Sequence, residues 1–319
     1  MKTAVLFIVF NRPDTTRLVF AAIRAARPPR LYVVADGPRG SHDDDASRCE
    51  EARKEATGVD WQCEVKTLFR DKNLGCKRSV SEGIGWFFQQ EAEGIVIEDD
   101  VLPQPTFFPY CEELLERYRD DPRVLMIGGC NLVTGRLQMQ ESYFFSKYAN
   151  IWGWASWRRA WRHYDSDIKE WPCWRDAGGL RRLSQGDRPF EAHWRRVFDT
   201  VCLGQIDTWD YQWLFACWRT SGCAVLPAVN LTKNIGFRAD ATHTNSHEPD
   251  YLRTALPSEM GFPLVHPLSV MPVQSIDSLI GKVVYGISRR SYLVSRIRRL
   301  PLIGVIAERV AKTLKAATR

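Results

Sequence analysis

Through the first 130 residues the chain alternates short apolar runs with longer stretches of helical periodicity. Strand-like runs occupy Ala4–Phe10, Leu31–Ala35, Glu64–Phe69, Gly94–Ile97 and Val124–Ile127. Helical stretches fill the gaps at Asp14–Ala26, Asp44–Thr57, Lys77–Glu91 and Thr106–Asp120, with Asp14 and Thr106 placed as N-caps. Strictly alternating strands and helices predict an α/β fold built on a doubly wound, mostly parallel sheet. Sheets of this kind bind ligands at the carboxyl ends of their strands. Four such ends carry polar chemistry here: Asn11-Arg12, Asp36-Gly37, Arg70-Asp71-Lys72 and Glu98-Asp99-Asp100.

The pattern changes after residue 130. Ten of the twelve Trp lie between Trp152 and Trp218. Helices are predicted at Ala155–Tyr164, Pro189–Leu203 and Tyr211–Ser221. A loop of small and polar residues runs from Gly236 to Asp250, and the Pro-dotted stretch Tyr251–Ile276 reads as extended. The remainder reads as a basic amphipathic helix interrupted at Pro301. This gives one domain over 1–276, with an α/β half (1–130) and an aromatic half (131–250), followed by a basic tail over 277–319.

Charge is divided the same way. Of 44 Lys/Arg and 38 Asp/Glu, the tail from Lys282 holds ten and one, which leaves the body mildly acidic. An acidic body disfavours nucleic acid as a partner, whereas the tail suits an anionic membrane surface. The alternative is a helix packed on the chain's own body or on a partner subunit. The nine cysteines form no C-x-x-C pair, and no stretch reaches membrane-spanning length. The apolar start lacks a small-residue cleavage site and reads as a buried strand. The expected location is cytoplasmic, peripheral at the inner face of the membrane.

Two readings stand for Glu98-Asp99-Asp100. Three acids at a buried strand end repel one another unless a cation or hydrogen-bond donors offset them, which suits Mn²⁺ or Mg²⁺. The other reading is a solvated strand end; the charged groups on the neighbouring strand ends favour the first. No G-x-G-x-x-G follows the first strand and no G-x-x-x-x-G-K-[ST] occurs anywhere, so dinucleotide and P-loop sites lose their main support.

The segment from Gly94 to Tyr110, with its Glu-Asp-Asp, resembles the acidic strand end of the mannosyl-glycoprotein N-acetylglucosaminyltransferases, which have the GT-A fold. Further pieces match in order: Asn11-Arg12-Pro13, Asp36, Trp152-Gly153-Trp154, Trp209-Asp210-Tyr211-Gln212-Trp213, and the loop Ile235 to Thr244. The chain also resembles bacterial family-2-like transferases of surface polysaccharides. These resemblances imply a GT-A glycosyltransferase. Its 1–276 domain would be catalytic, with the 1–130 half binding a nucleoside-diphosphate sugar, UDP in the first instance, and the 131–250 half taking a glycan or lipid-linked acceptor. They imply Asp100 as metal ligand, and Asp99 and Glu98 on ribose or donor sugar. Asn11, Arg12, Asp36, Arg70, Lys72, Trp152 and Trp209 would bind the donor or acceptor. Asp210 would be the base of an inverting displacement, and His243 would reach the metal or diphosphate. Tyr211 departs from the family's second Asp, which makes Asp207 a rival base. For Asp210 the competing reading is a helix N-cap; for His243, a solvated loop residue. Trp154, Trp157 and Trp161 have helical spacing and are expected in the core. Two other functions compete: a sugar nucleotidyltransferase, which should carry a Gly-rich basic loop after the first strand, and a degenerate transferase serving as a membrane-bound scaffold.

Overall fold

The computed structural model describes residues 1–237 and 249–298. The first seven elements alternate: Val5–Val9 (β1), Pro13–Ala26 (α1), Arg30–Ala35 (β2), Asp45–Thr57 (α2), Glu64–Phe69 (β3), Cys76–Gln90 (α3) and Glu93–Glu98 (β4). There follow Val101–Pro103 (β5), Phe107–Arg117 (α4), Val124–Gly128 (β6), Tyr143–Ser146 (β7) and Trp154–Trp157 (β8). The helices Arg158–Trp161 (α5), Trp171–Asp176 (α6), Gly179–Ser184 (α7), Arg188–Cys202 (α8) and Asp210–Arg219 (α9) come next. Cys223–Pro227 (β9), Thr232–Asn234 (β10), Asp250–Thr254 (α10), Gln274–Val283 (α11) and Arg289–Arg298 (α12) complete the order.

Eight strands form one sheet in the order β3-β2-β1-β4-β8-β6-β9-β7. β8 runs antiparallel to both β4 and β6, and β7 antiparallel to β9; the other pairings are parallel. The expected doubly wound, mostly parallel α/β sheet is therefore present. Its central strands are buried on both faces, which is why they read as unbroken apolar runs. Alternate residues feed two cores. Leu6, Ile8, Tyr32, Val34 and Val96 face α3, α8 and α9, while Val5, Phe7, Leu31, Val33 and Ile95 face α1 and α4.

The sheet's two outer edges are finished differently. β3 is only partly covered and carries Glu64 and Lys66. Beyond β7 the chain bridges Phe145 with Pro272, a residue that has no N–H to offer.

Several expectations are corrected. The predicted helix Ala155–Tyr164 begins instead as strand β8, and only Arg158–Trp161 is helical. The spacing of Trp154, Trp157 and Trp161 mimics a helix. In a strand, three residues' separation puts side chains on opposite faces, so Trp154 enters one core and Trp157 the other. All three are buried, as expected. Asp14 lies inside the first turn of α1, whose N-cap is Arg12. Thr106 occupies the N-cap position of α4 but makes no capping bond; its hydroxyl accepts from the Met260 N–H at 2.9 Å. The stretch expected to be extended contains α10 and the start of α11. The predicted tail boundary falls within α11, where Ile276 and Ile280 join the core. The helix break inside the described residues is at 284–288, around Gly286 with φ +62°. Pro301 lies outside the described residues. None of the described helices is long and apolar enough to cross a membrane.

Candidate active site

The carboxyl ends of β1, β2 and β4 open into one cavity of about 890 Å³. Arg12, Asp36, Glu98, Asp99, Asp100, Trp152, Trp209 and Asp210, all singled out from the sequence, line it. Parallel neighbours end at one level, so residues just past them meet whatever their sequence separation.

At the centre, Arg12 Nη1 lies 2.7 Å from Asp100 Oδ2. Asp99 Oδ2 accepts from the Phe10 N–H at 3.0 Å, which ties the end of β4 to the end of β1. Burial pushes the carboxyls of Glu98 and Asp99 upward, Asp99 to about 7, and the neighbouring acids add to the effect. Arg12 opposes it. Close acids withdrawn from water are held at an electrostatic cost that a cation would relieve.

The Asp36 carboxylate is engaged by backbone. It accepts from the N–H of Gly37 at 2.9 Å and of Leu74 at 3.0 Å, and so fastens the loop after β3 to the end of β2. That loop delivers Gly75, whose φ of +81° turns the chain into α3. Asp207 closes the same corner from 131 residues away, accepting from the N–H of Cys76 at 3.0 Å and of Lys77 at 3.1 Å. A carboxylate on the first N–H groups of a helix satisfies donors that have no partner within the helix. Asp207, the rival base, thus serves as a cap for α3 while it also lines the cavity.

Three expected residues point elsewhere. Asn11 Nδ2 donates to Asp45 at 2.7 Å, Arg70 pairs with Glu82 at 2.8 Å, and Lys72 is exposed; none lines the cavity. Arg39, not anticipated, does line it and forks onto Asp45, holding that carboxyl well below the usual carboxylate range. Its one sequence signal is its place three residues after Asp36, on a strand-end loop. Tyr285, also a lining residue, comes from the break between α11 and α12 and has no sequence signal.

Across the cavity, Asp210 is the first residue of α9, with Trp209 at the N-cap position. Asp210 thus follows the N-cap position instead of occupying it. The Thr208 hydroxyl donates to Asp210 Oδ1 and orients it. Trp209 is nearly fully buried and stacks on Trp154 at 5.9 Å. Trp152 is more open and meets Phe237 edge-on at 6.1 Å. The chain leaving β10 is fixed to the acidic corner, since the Ile235 N–H donates to the Asp100 carbonyl at 2.7 Å. A Cβ on Gly236 would collide with the Asp100 side chain, so any larger residue would have to displace it. His243 lies outside the described residues.

Among the described residues no three His, Cys, Asp or Glu side chains converge as a self-sufficient metal cage. The donor chemistry still fits a hard cation of the Mg²⁺ or Mn²⁺ type. Such ions commonly take one or two carboxylates and fill their shell with phosphate oxygens and water. Asp100 offers that carboxylate at the cavity wall, where Arg12 supplies the positive charge it faces.

No protein-family model matches the chain, and no curated protein matches it. Among solved structures, galactosyltransferase LgtC in complex with donor and acceptor sugar analogues is similar at 10% identity and a TM-score of 0.37, over 79% of this chain and 100% of that one. Mouse xyloside xylosyltransferase 1 is similar at 10% identity and a TM-score of 0.35, over 68% and 81%. HddC from Yersinia pseudotuberculosis is similar at 8% identity and a TM-score of 0.30, over 49% and 77%. These likenesses are remote, and the functional reading rests on the site's own geometry.

Proposed function

We propose that this chain is a glycosyltransferase that moves a sugar from a nucleoside diphosphate, UDP in the first instance, to a hydroxyl of a glycan or lipid-linked acceptor. The observation that carries the reading is the facing arrangement in one cavity. Arg12 and the Glu98–Asp100 corner lie at the strand ends, and the oriented carboxylate of Asp210 stands at a helix start beside them.

In this reading Asp36 and Arg39 form the nucleoside end of the cavity, and Arg12 draws the diphosphate toward the acidic corner. Asp210 accepts the acceptor hydroxyl's proton as that oxygen bonds to the sugar's anomeric carbon. The bond from that carbon to the diphosphate oxygen breaks with inversion, and the electron pair leaves with the diphosphate. A general base placed this way contributes on the order of 10²–10⁴ in rate. A divalent cation held by Asp100 would supply Lewis-acid stabilisation of the leaving diphosphate. Trp152 and Phe237 offer apolar faces to a sugar ring. The basic stretch from Arg289 onward is the part proposed to meet an anionic membrane surface, on the cytoplasmic side.

The test is transfer from UDP sugars, assayed with Mn²⁺ and with EDTA, on the wild type and on Asp100→Ala. The expected outcome is activity that needs the metal and collapses in the variant. Full activity in EDTA and in Asp100→Ala would overturn the metal assignment. Release of pyrophosphate from a nucleoside triphosphate and a sugar phosphate would replace the reading with a nucleotidyltransferase.

A further inference from the structure

A second cavity, of about 850 Å³, opens between the α7–α8 corner and the α11–α12 corner. Its lining includes four cationic side chains, Lys147, Arg188, Lys282 and Arg289, against two acids, Asp187 and Asp277. Among the described residues neither acid forms an ion pair with these bases, although both attract Lys147 through space, which leaves the bases in excess. Asp277 is buried and engaged by the Ser146 hydroxyl at 2.6 Å and the Lys147 N–H at 3.3 Å. Asp187 accepts from the Phe190 N–H as the cap of α8. Lys147 Nζ sits 4.0 Å from the centre of the Phe190 ring. Burial lowers its ammonium below the ordinary lysine range, and the charges of Asp277 and Asp187 oppose that shift. A cationic concavity with a half-buried lysine at its base and mobile-length arginines on its rim matches a tetrahedral oxyanion.

We propose that this cavity is a phosphate-binding site, separate from the donor cavity, with Lys147 at its base and Arg188, Lys282 and Arg289 around its mouth. The chemistry recognised is a phosphate mono- or diester. A soluble phosphate ester and a lipid headgroup share it. The two cavities have a common partition. Tyr148 lines the second, the following residues Ala149 to Ile151 line the first, and Tyr285, a lining residue of the first, stacks on Tyr148 at 5.1 Å and 24°. The inference stands independently of the donor reading, because none of its cations lines the donor cavity.

The experiment uses the full chain, with glycerol phosphate titrated by calorimetry and phosphatidylglycerol vesicles, against phosphatidylcholine controls, titrated by sedimentation. The variants are Lys147→Gln and the exposed rim pair Arg188→Gln/Arg289→Gln, which keeps the test valid should the half-buried lysine prove necessary for folding. Arg12→Gln serves as the donor-cavity control. We expect saturable glycerol phosphate binding that weakens about ten-fold or more in each basic-cavity variant and is kept in Arg12→Gln. If vesicle binding falls in parallel, the natural source is a lipid headgroup. If it is unchanged while glycerol phosphate binding falls, the source is a soluble ester. Binding of both probes unchanged in Lys147→Gln and in the rim pair, or glycerol phosphate binding lost only in Arg12→Gln, would overturn the site.

Discussion

The two cavities share a wall and differ in almost everything else. The first cavity gathers acids from strand ends and loops: Asp36, Glu98, Asp99, Asp100, Asp207 and Asp210, with Arg12 and Arg39 against them. The second gathers bases from helix ends and the edge of β7. In the first, most charged groups are fixed by backbone or by a charged partner, as Asp36, Asp207 and the Arg12–Asp100 pair are. In the second, the acids are the groups fixed; Lys147 packs on Phe190, and Arg188, Lys282 and Arg289 are exposed. Groups tied by backbone keep one geometry, as bond-making chemistry demands. Long exposed side chains without a fixed partner can adapt to the ligand they meet, which suits binding better than catalysis.

That contrast can be broken or sharpened in three ways. The largest effect is expected at Asp210. Asp210→Asn keeps the size and can still accept from Thr208, but it removes the proton acceptor. Turnover should fall by roughly 10²–10⁴ with donor affinity nearly unchanged, measured as kcat against donor binding. A drop in donor affinity with kcat retained would make Asp210 a binding group.

The next effect is one of pH, in the second cavity. Burial raises the Asp277 carboxyl to about 6, against an ordinary value of 3.8. Between these values the folded chain holds a proton that the unfolded chain has released, so stability declines as pH rises through about 4 to 6. The full decline amounts to roughly 2–3 kcal/mol. Asp277→Asn should flatten this part of the pH profile of Tm. A variant whose profile matches the wild type would show that the ionised carboxylate is well accommodated by Ser146 and Lys147.

The smallest effect separates Asp207 from Asp210 in the first cavity. Asp207→Ala strips the acceptor from two N–H groups at the start of α3 and should cost about 1 kcal/mol of stability. Its kcat loss should be far smaller than that of Asp210→Asn. Equal losses in the two variants would return Asp207 to contention as the base.

How much of this was visible beforehand depends on how local each feature is. The strands and helices of residues 1–130 could be read because the apolar runs of β1, β2, β4 and β6 are buried on both faces and interrupted by polar punctuation. The strand-end residues Arg12, Asp36 and Glu98 to Asp100 followed from the same logic, since parallel strands place their ends together. Asn11, Arg70 and Lys72 sit at equivalent positions but turn toward Asp45, Glu82 and solvent, because side-chain direction past a strand end is set by partners on other loops. β8 was misread because a Trp spacing of three and four fits a helix, whereas only the strand pairing with β4 and β6 tells one strand face from the other. The second cavity is assembled from residues near 147, 188 and 282–289, and no local pattern announces such a meeting.

The unlike finishes at the two ends of the sheet bear on how the protein behaves in concentrated solution. An open sheet with bare edges invites a neighbouring molecule to add a strand, the first step toward fibrous association. At the β3 end, charged Glu64 and Lys66 would have to be desolvated by any incoming strand. At the β7 end, the Phe145–Pro272 bridge covers the edge with a residue that cannot extend the ladder. Replacing Pro272 would restore an N–H to that margin, so a chain otherwise unchanged in fold should become more prone to self-association there.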